Sequence, residues 1–179
     1  GCDFAAMIEA MDKTQLALCA EGGIGKSPVD IHALSQYRIA EVLIEFDVLR
    51  LSAEEAVAKD IAGSFYPHGL GHHLGCNVHD KGSQLANAQG DILPKSDKYP
   101  KLRSGAKMVA NQIHTVEPGL YFIPAFLEKL KASKHAHAIN WSRVSEFVPY
   151  GGIRIEDNIV VHVDGTLENL TRDAFRRIN

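Results

Sequence analysis

Apolar residues recur at helical spacing through the first third of the chain and then change to a strand-like pattern. Over residues 4 to about 20, apolar side chains return every three or four positions, which predicts an amphipathic helix. A second helix is predicted to begin with Ser27 as N-cap and to run to roughly Asp47. The segment Ser52–Glu55 has the pattern of a capping box and predicts a short third helix through about Ile61.

The second half of the chain is typical of β-strands. Three segments are predicted as strands, namely the histidine-containing segment His68–Asp80, Gln112–Phe122 and Ile153–Val163. The dipeptide Asp164-Gly165 predicts a hairpin turn, and a short last strand is expected near residues 166–170. Because helices come first and strands later, we expect an α+β domain. Polar surface loops are predicted at residues 81–101 and 129–140.

The composition is that of an ordinary globular protein and argues against several kinds of partner. Of the 179 residues, 45% are hydrophobic and 23% charged, which suits one domain with its own core. A net charge of −3 gives no basic surface for nucleic acid. No apolar run reaches the length of a membrane span, and no secretory signal opens the chain. The three cysteines lack paired spacing, so we expect a reducing, cytoplasmic environment.

One segment concentrates side chains that bind metals and transfer protons. From His68 to Asp80, thirteen residues contain four histidines and a carboxylate, separated by glycines that permit tight backbone turns. Two carboxylates follow downstream: Glu117 stands in a Glu-Pro-Gly turn, and Glu156 lies two residues after Arg154. Histidine and carboxylate side chains on short elements are the ligand set of hydrolytic metal sites.

Each feature also has a purely structural explanation. A Glu-Pro-Gly sequence is most often only a turn, and an Arg-x-Glu pair is more often a cross-strand salt bridge than a catalytic pair. Strand alternation places Arg154 and Glu156 on one face, where two charges on a buried strand would be unfavourable unless a site uses them. Cys76 is expected to be a small core residue. Other histidines are expected to be solvated or incidental: His114, His135, His137 and His162.

Taken together and in order, the motifs resemble those of the M24 metallopeptidases, which have the pita-bread fold. The run Pro67–Gly75 and the segments beginning at Glu117 and Gly151 are similar to bacterial Xaa-Pro dipeptidases (prolidases), including relatives known for organophosphorus acid anhydrolase activity. The resemblance extends over essentially all 179 residues. It implies an α+β pita-bread fold, Xaa-Pro dipeptides as substrates, two divalent ions (typically Mn²⁺) and a homodimer in the full-length protein.

The resemblance also implies roles for individual residues at the metals. His72 matches the histidine ligand of the family, and Glu117 and Glu156 match its two glutamates, with Glu156 bridging both ions. Glu117 would also take a proton from the attacking water and pass it to the departing nitrogen of proline. His79 matches the histidine that stabilises the tetrahedral intermediate.

Three further residues are implied to contact the substrate. His68 matches a histidine that helps to hold it. Arg103, fourteen residues before Glu117, matches the arginine that receives the carboxylate of proline. Arg154 matches a second arginine that faces the substrate.

The family also has two aspartate ligands, eleven residues apart and upstream of the histidine, and these have no counterpart in the chain. No two of the aspartates before His72 have that spacing: Asp3, Asp12, Asp30, Asp47 and Asp60. Asp80 and Asp91 are eleven residues apart but follow the histidine. We therefore expect residues 1–179 to be a partial catalytic domain that lacks the N-terminal domain and the first metal-binding hairpin. We expect little or no activity from these residues alone.

Two other functions remain open. The first is aminopeptidase P activity, which releases the N-terminal residue of longer peptides; the long insert between Glu117 and Glu156 favours the dipeptidase. The second is a non-catalytic binding protein that kept the fold. The absent aspartates favour this reading, and the retained histidines, glutamates and arginines oppose it.

Overall fold

The structure is a computed structural model that describes residues 3–87 and 89–178. Contacts between residues divide the chain into two compact units. Unit 1 combines the segment up to Thr14 with Ser35–His68 and Pro118–Ile155. Unit 2 combines Gln15–Leu34, Gly69–Glu117 and the segment from Glu156 onward. No helix in the described part of the chain is long and apolar enough to cross a membrane.

Helices and strands both contribute to the fold, which confirms the predicted α+β class. The helices are α1 (Asp3–Cys19), α2 (Pro28–Glu45), α3 (Ala53–Ala58), α4 (Ala62–Phe65), α5 (Pro124–Lys131), α6 (Trp141–Phe147) and α7 (Leu170–Ile178). The strands are β1 (His73–Leu74), β2 (Gln112–Val116), β3 (Gly119–Tyr121), β4 (Gly152–Arg154), β5 (Asp157–Val161) and β6 (Leu167–Asn169).

The first three predicted helices are confirmed. The capping box before α3 is formed as predicted: Ser52 Oγ accepts a hydrogen bond from Glu55 N at 3.2 Å, and Glu55 Oε2 accepts one from Ser52 N at 3.4 Å. The predicted hairpin turn is also present. There His162 N donates to Thr166 O at 2.9 Å, and Gly165 adopts a φ of 83° that favours glycine.

The predicted strands are correct in place but wrong in extent. In the histidine-containing segment only His73–Leu74 forms a strand, and the other residues form turns and loops. The predicted strand over residues 112–122 is divided into β2 and β3, and the predicted strand over 153–163 into β4 and β5. The loop predicted over 129–140 is correct only in part, because α5 extends to Lys131 and a 3₁₀ turn covers Ala136–Ala138.

Each unit has its own small sheet. In the described part of unit 2, four antiparallel strands lie in the order β1-β2-β5-β6, with His73 opposite His114 and Val116 opposite Asp157. In unit 1, β3 pairs antiparallel with β4 and Leu120 lies opposite Ile153.

Each unit also buries its own apolar cluster. The largest buried side chains of unit 1 include Phe65, Tyr66, Phe122, Phe147 and Leu43. The cluster of unit 2 is smaller and includes Leu18, Ile31, Leu70, Val116 and Ile159. The cluster of unit 2 lies against the β2–β5 pair, so it supports the strand ends that carry the candidate metal ligands.

Candidate metal centre and substrate-contacting residues

A close backbone approach fixes the position of His72. A Cβ added to Gly71 would lie 1.9 Å from Thr115 O, so only glycine permits the chain to come this near to β2. On the next residue, His72 N donates to Thr115 Oγ1 at 2.9 Å, and Thr115 N donates to His72 O at 2.9 Å. The histidine is therefore held by β2 through two hydrogen bonds and is buried.

The imidazole of His72 faces the carboxylate of Glu117. Its Nδ1 lies 2.8 Å from His73 O, and because a carbonyl only accepts, Nδ1 carries the hydrogen. The opposite nitrogen, Nε2, lies 3.3 Å from Glu117 Oε1, and the two side chains are 6% and 12% exposed. Thr115 Oγ1 donates to the same Glu117 oxygen at 3.1 Å, so a single threonine orients both groups.

This pair has the chemistry of two donors in a metal site. With its hydrogen on Nδ1, His72 can direct the lone pair of Nε2 at a carboxylate oxygen, and two acceptors in this position suit a cation between them. A backbone carbonyl that fixes the histidine tautomer is typical of metal-binding histidines. Among residues 3–87 and 89–178, however, no group of three or more histidine, cysteine, aspartate or glutamate side chains could hold one ion. Glu156 is exposed, so the pair supplies two positions of a site that needs further donors.

His79 lies beside this pair. Its ring contacts that of His72 edge to face, with the centroids 4.4 Å apart, although its side chain is exposed. Between Gly75 and Gly82 the chain turns around the carboxylate of Asp80, which accepts from Asn77 N at 3.4 Å and from Gly82 N at 2.8 Å. Backbone hydrogen bonds from Gly82 and Asn77 lower the pKa of Asp80. Cys76 is exposed in this turn, so its predicted place in the core is wrong.

Two further histidines are buried behind the pair. His73 and His114 lie opposite each other on β1 and β2, with ring centroids 4.2 Å apart and nearly perpendicular planes. Burial lowers the pKa of His73, and burial together with His73 and His72 lowers the pKa of His114 to about 3. Both rings are therefore neutral near pH 7, and the prediction that His114 is solvated is wrong because its side chain is buried.

In unit 1, Tyr121 joins two of the residues implied to contact substrate. Its hydroxyl lies 2.9 Å from His68 Nε2 and accepts a hydrogen bond from Arg154 Nε at 2.6 Å. The guanidinium also lies 5.7 Å from the centre of the tyrosine ring. Ile153 is buried and Arg154 exposed, so the predicted alternation is present but the charges do not lie on a buried face.

Arg103 is placed elsewhere in unit 2. It is exposed and lines a cavity of about 220 Å³, together with Lys95, Ser96 and apolar residues of the predicted loop over 81–101. Its carbonyl accepts a hydrogen bond from Ser83 Oγ at 3.3 Å.

Sequence reasoning missed Thr115 and Tyr121, the two hydroxyls that orient the candidate residues. Tyr121, in β3, stands within the segment quoted for the resemblance, and Thr115, near the end of β2, lies two residues before it. A threonine and a tyrosine in strands are ordinary β-formers, so the residue types alone gave no signal.

Solved structures of known proteins share this fold. Aminopeptidase PepP of Pseudomonas aeruginosa superposes with a TM-score of 0.65 at 23% identity, covering 93% of this chain and 31% of that one. Aminopeptidase P of E. coli with the inhibitor Pro-Leu gives 0.64 at 23% identity, covering 93% and 30%. The fold is therefore the pita-bread fold of these aminopeptidases, as the motifs predicted.

The sequence places the chain in a family. Residues 3–162 match Metallopeptidase family M24, and the chain belongs to that family. It is 44% identical over 175 residues to the Xaa-Pro dipeptidase of Pseudoalteromonas translucida, and 45% identical over 172 residues to that of Colwellia psychrerythraea. These alignments cover 96% and 95% of this chain but only 39% and 38% of the two relatives.

Proposed function

We propose that the chain is part of the catalytic domain of an Xaa-Pro dipeptidase, which hydrolyses the bond before a C-terminal proline. The observation that carries the proposal is the buried contact between His72 Nε2 and Glu117 Oε1, oriented by Thr115. Family membership and relatives named Xaa-Pro dipeptidase support the same assignment. The dipeptidase activity is proposed for a complete protein, since the chain spans 39% of the length of such a relative.

The proposed metal ligands are His72, Glu117 and Glu156, completed by two aspartates that these 179 residues lack. Imidazole and carboxylate donors suit divalent ions such as Mn²⁺, and two such ions are proposed. When bound, the ions would polarise the scissile carbonyl and make a water acidic enough to attack near neutral pH. In this proposal the strand ends at Glu117 and Glu156 present both carboxylates to the same ions.

Proton transfer is assigned to Glu117. Thr115 Oγ1 holds one carboxylate oxygen of Glu117 at 3.1 Å, which leaves the other oxygen to take the proton of the attacking water. Glu117 then delivers this proton to the proline nitrogen, because an unprotonated amide nitrogen is a very poor leaving group. His79, against the ring of His72, is assigned to donate a hydrogen bond to the oxyanion.

Substrate binding is assigned to His68, Arg154 and Arg103. Tyr121 restrains the first two through its hydroxyl, so its loss is expected to raise KM more than it lowers kcat. The guanidinium of Arg103 is assigned to the substrate carboxylate, which would restrict the substrates to dipeptides.

The proposal is tested on the intact natural protein that contains this chain. Its mass is measured first, and hydrolysis of Leu-Pro and Leu-Pro-Pro is then compared with Mn²⁺ present. We expect cleavage of the dipeptide and loss of activity in Glu117→Gln, with Glu128→Gln, an exposed glutamate on α5, as the matched control. A clear preference for Leu-Pro-Pro contradicts the dipeptidase assignment and favours an aminopeptidase P.

A cytoplasmic location and a homodimer are also part of the proposal. The first rests on the unpaired spacing of the cysteines, and sedimentation of the natural protein tests the second.

A second candidate is a non-catalytic binding protein that kept the fold. The observation that favours it is that the described residues bring two donors together but contain no group of three. A natural protein of only 179 residues that binds Leu-Pro without hydrolysing it would support this candidate.

A further inference from the structure

A closed ring of polar contacts lies at the ends of β2 and β5, next to both proposed glutamate ligands. Val116 ends β2 and pairs directly with Asp157, which begins β5. Glu117 is the residue after Val116, and Glu156 is the residue before Asp157. The position of this strand pair therefore sets where both glutamates leave the sheet.

Two side chains from outside the sheet complete the ring. Arg172, in the first turn of α7, donates from Nε to Asp157 Oδ2 at 2.7 Å and from Nη2 to Gln15 Oε1 at 3.3 Å. Gln15, on α1, donates from Nε2 to Val116 O at 3.3 Å. We call these four residues, Val116, Asp157, Arg172 and Gln15, the strand-end ring.

The helix α7 is tied to β5 at more than one point. Asn169 Nδ2 donates to the same Asp157 oxygen at 2.7 Å, while its Oδ1 accepts from Arg172 N at 3.0 Å. Asn158 N, the next amide of β5, donates to Thr171 Oγ1 at 2.9 Å. The first turn of α7 is therefore fixed to the first two residues of β5.

Stability alone does not account for this ring. Asp157 is 2% exposed, and Gln15 is completely buried, so both groups are removed from water. The desolvation of a buried ion pair offsets much of its attraction, and apolar replacements of similar volume are often as stable. What the ring supplies is geometry, because it defines the relative position of two strand ends that an apolar contact would leave free to shift. A shift of one residue would turn each side chain of the strand to the opposite face.

We propose that Arg172 and Asp157 are positioning residues, which hold the ends of β2 and β5 so that Glu117 and Glu156 reach a common divalent ion. The inference rests on the proposed function, since it concerns the ligands assigned there. Neither residue is assigned as a metal ligand, and the effect of Arg172 passes through Asp157 and Gln15.

The first test measures Mn²⁺ binding to the full 179-residue chain by electron paramagnetic resonance, which counts free Mn²⁺ and therefore detects weak affinities. Arg172→Gln is expected to raise the Kd by about 10- to 100-fold, the usual effect of losing a partner that orients a ligand. Arg176→Gln is the matched control, because Arg176 lies on the same helix in an exposed pair with Asp173. The control is expected to bind as the parent does, and equal affinity of Arg172→Gln and the parent overturns the proposal.

A second variant separates positioning from stability. The double variant Asp157→Leu/Arg172→Met removes both charges together, so its unfolding midpoint is expected to stay near that of the parent while its affinity for Mn²⁺ falls. Retained affinity in this variant overturns the proposal. If Arg172→Gln does not fold, Mn²⁺ binding is measured in Arg172→Lys. Lysine keeps the charge but cannot donate to Asp157 and Gln15 at once as the guanidinium does, so a raised Kd is expected and an unchanged Kd overturns the proposal.

Amide hydrogen exchange provides a readout that does not depend on the metal. In the parent, Glu117 N donates to Leu70 O at 2.7 Å, and this amide is expected to exchange slowly. Faster exchange at Glu117 and Asn158 in Arg172→Gln, but not in Arg176→Gln, is expected. If these 179 residues bind no Mn²⁺, the same variants are compared in the natural protein that supplies the two aspartates. Absence of binding there means that the metal site in the proposed function fails, while the exchange data still decide whether the ring fixes the strand ends. Unchanged exchange overturns the proposal in either case.

Discussion

Thr115 connects the backbone of His72 to the carboxylate of Glu117 and is buried. Thr115→Val keeps the shape but leaves His72 N and Glu117 Oε1 without this partner. We expect a loss of about 1–3 kcal/mol in the free energy of unfolding, the usual cost of an unsatisfied buried group. Urea denaturation measures the loss, and Thr115→Ser, which keeps the hydroxyl, is expected to lose less. Equal losses in the two variants would contradict a role for the hydroxyl.

Burial of His114 makes stability depend on pH. The pKa of His114 is lowered from 6.5 to about 3, so the unfolded chain binds the proton more readily than the folded chain. The stabilising contribution is therefore present above about pH 6.5 and is lost as the pH falls towards 3. A pKa lowered from 6.5 to about 3 predicts that the free energy of unfolding falls by about 2 kcal/mol between pH 7 and pH 5 from His114 alone.

Urea denaturation at pH 7 and pH 5 checks this dependence. His114→Gln, which has no titrating ring, is expected to lose less stability on acidification than the parent. His137→Gln, at an exposed histidine, is the control and is expected to follow the parent. The same dependence on pH in parent and His114→Gln would show that the ring is not held neutral by the fold.

At the level of single residues, the local sequence predicted which side chains belong to the site better than it predicted whether a side chain is buried or exposed. The motif pointed to His72 and Glu117, which the structure brings together at 3.3 Å. Burial of His114 was not predicted, because it depends on a strand register that places His73 opposite it across 41 residues of sequence. The exposure of Cys76 was also not predicted, because it depends on the turn around Asp80, which places this cysteine outside the core.

Strands were predicted where they lie, but their breaks were not. Pro118 lacks an amide hydrogen and cannot continue the ladder of β2, so the apolar run from Gln112 to Phe122 divides there. The break between β4 and β5 has no comparable signal: it follows Arg154 in a run that alternates well. Both proposed glutamates lie beside these breaks, which is why their surroundings could not be read from strand alternation.

Short helices were the elements most often missed. Lysines and histidines near α5 resemble loop composition, although Pro124 at the helix start is a usual helix signal. Before α7, Asn169 accepts from Arg172 N as an N-cap would, but the sequence pattern predicted only a short strand near residues 166–170 and no helix after it. In contrast, α3 was predicted correctly because its capping box is local to four residues.

The capping box of α3 gives a prediction at the scale of an element. Ser52→Ala removes the acceptor for Glu55 N and is expected to cost about 0.5–2 kcal/mol of unfolding free energy. Ser145→Ala is a suitable comparison, because Ser145 is exposed on α6, where its hydroxyl donates to Trp141 O, and its loss is expected to cost less than about 0.5 kcal/mol. Thermal or urea unfolding measures both, and a larger loss in Ser145→Ala would be inconsistent with a working cap.

At the scale of the molecule, the apolar clusters and the donor set lead to different expectations. Each unit buries a cluster of its own and has its own sheet, so packing gives reason to expect a folded chain. The donor set is less complete: His72 and Glu117 are paired, whereas Glu156 is exposed. A folded protein with an incomplete ligand set is expected to bind metal weakly, because each missing carboxylate removes both charge and coordination.

The 179 residues alone are therefore expected to show little or no hydrolysis of Leu-Pro, even with millimolar Mn²⁺. The release of proline, measured by chromatography and compared with a blank without protein, checks this expectation. A circular dichroism melt of the same sample shows whether the chain is folded. Robust Mn²⁺-dependent turnover by the folded chain would show that His72, Glu117 and Glu156 suffice without the two aspartates. The opposite result would be a folded chain without turnover and a longer natural protein with activity. It would mean that these residues form the histidine–glutamate pair but that the remaining metal ligands, which activity requires, lie outside them.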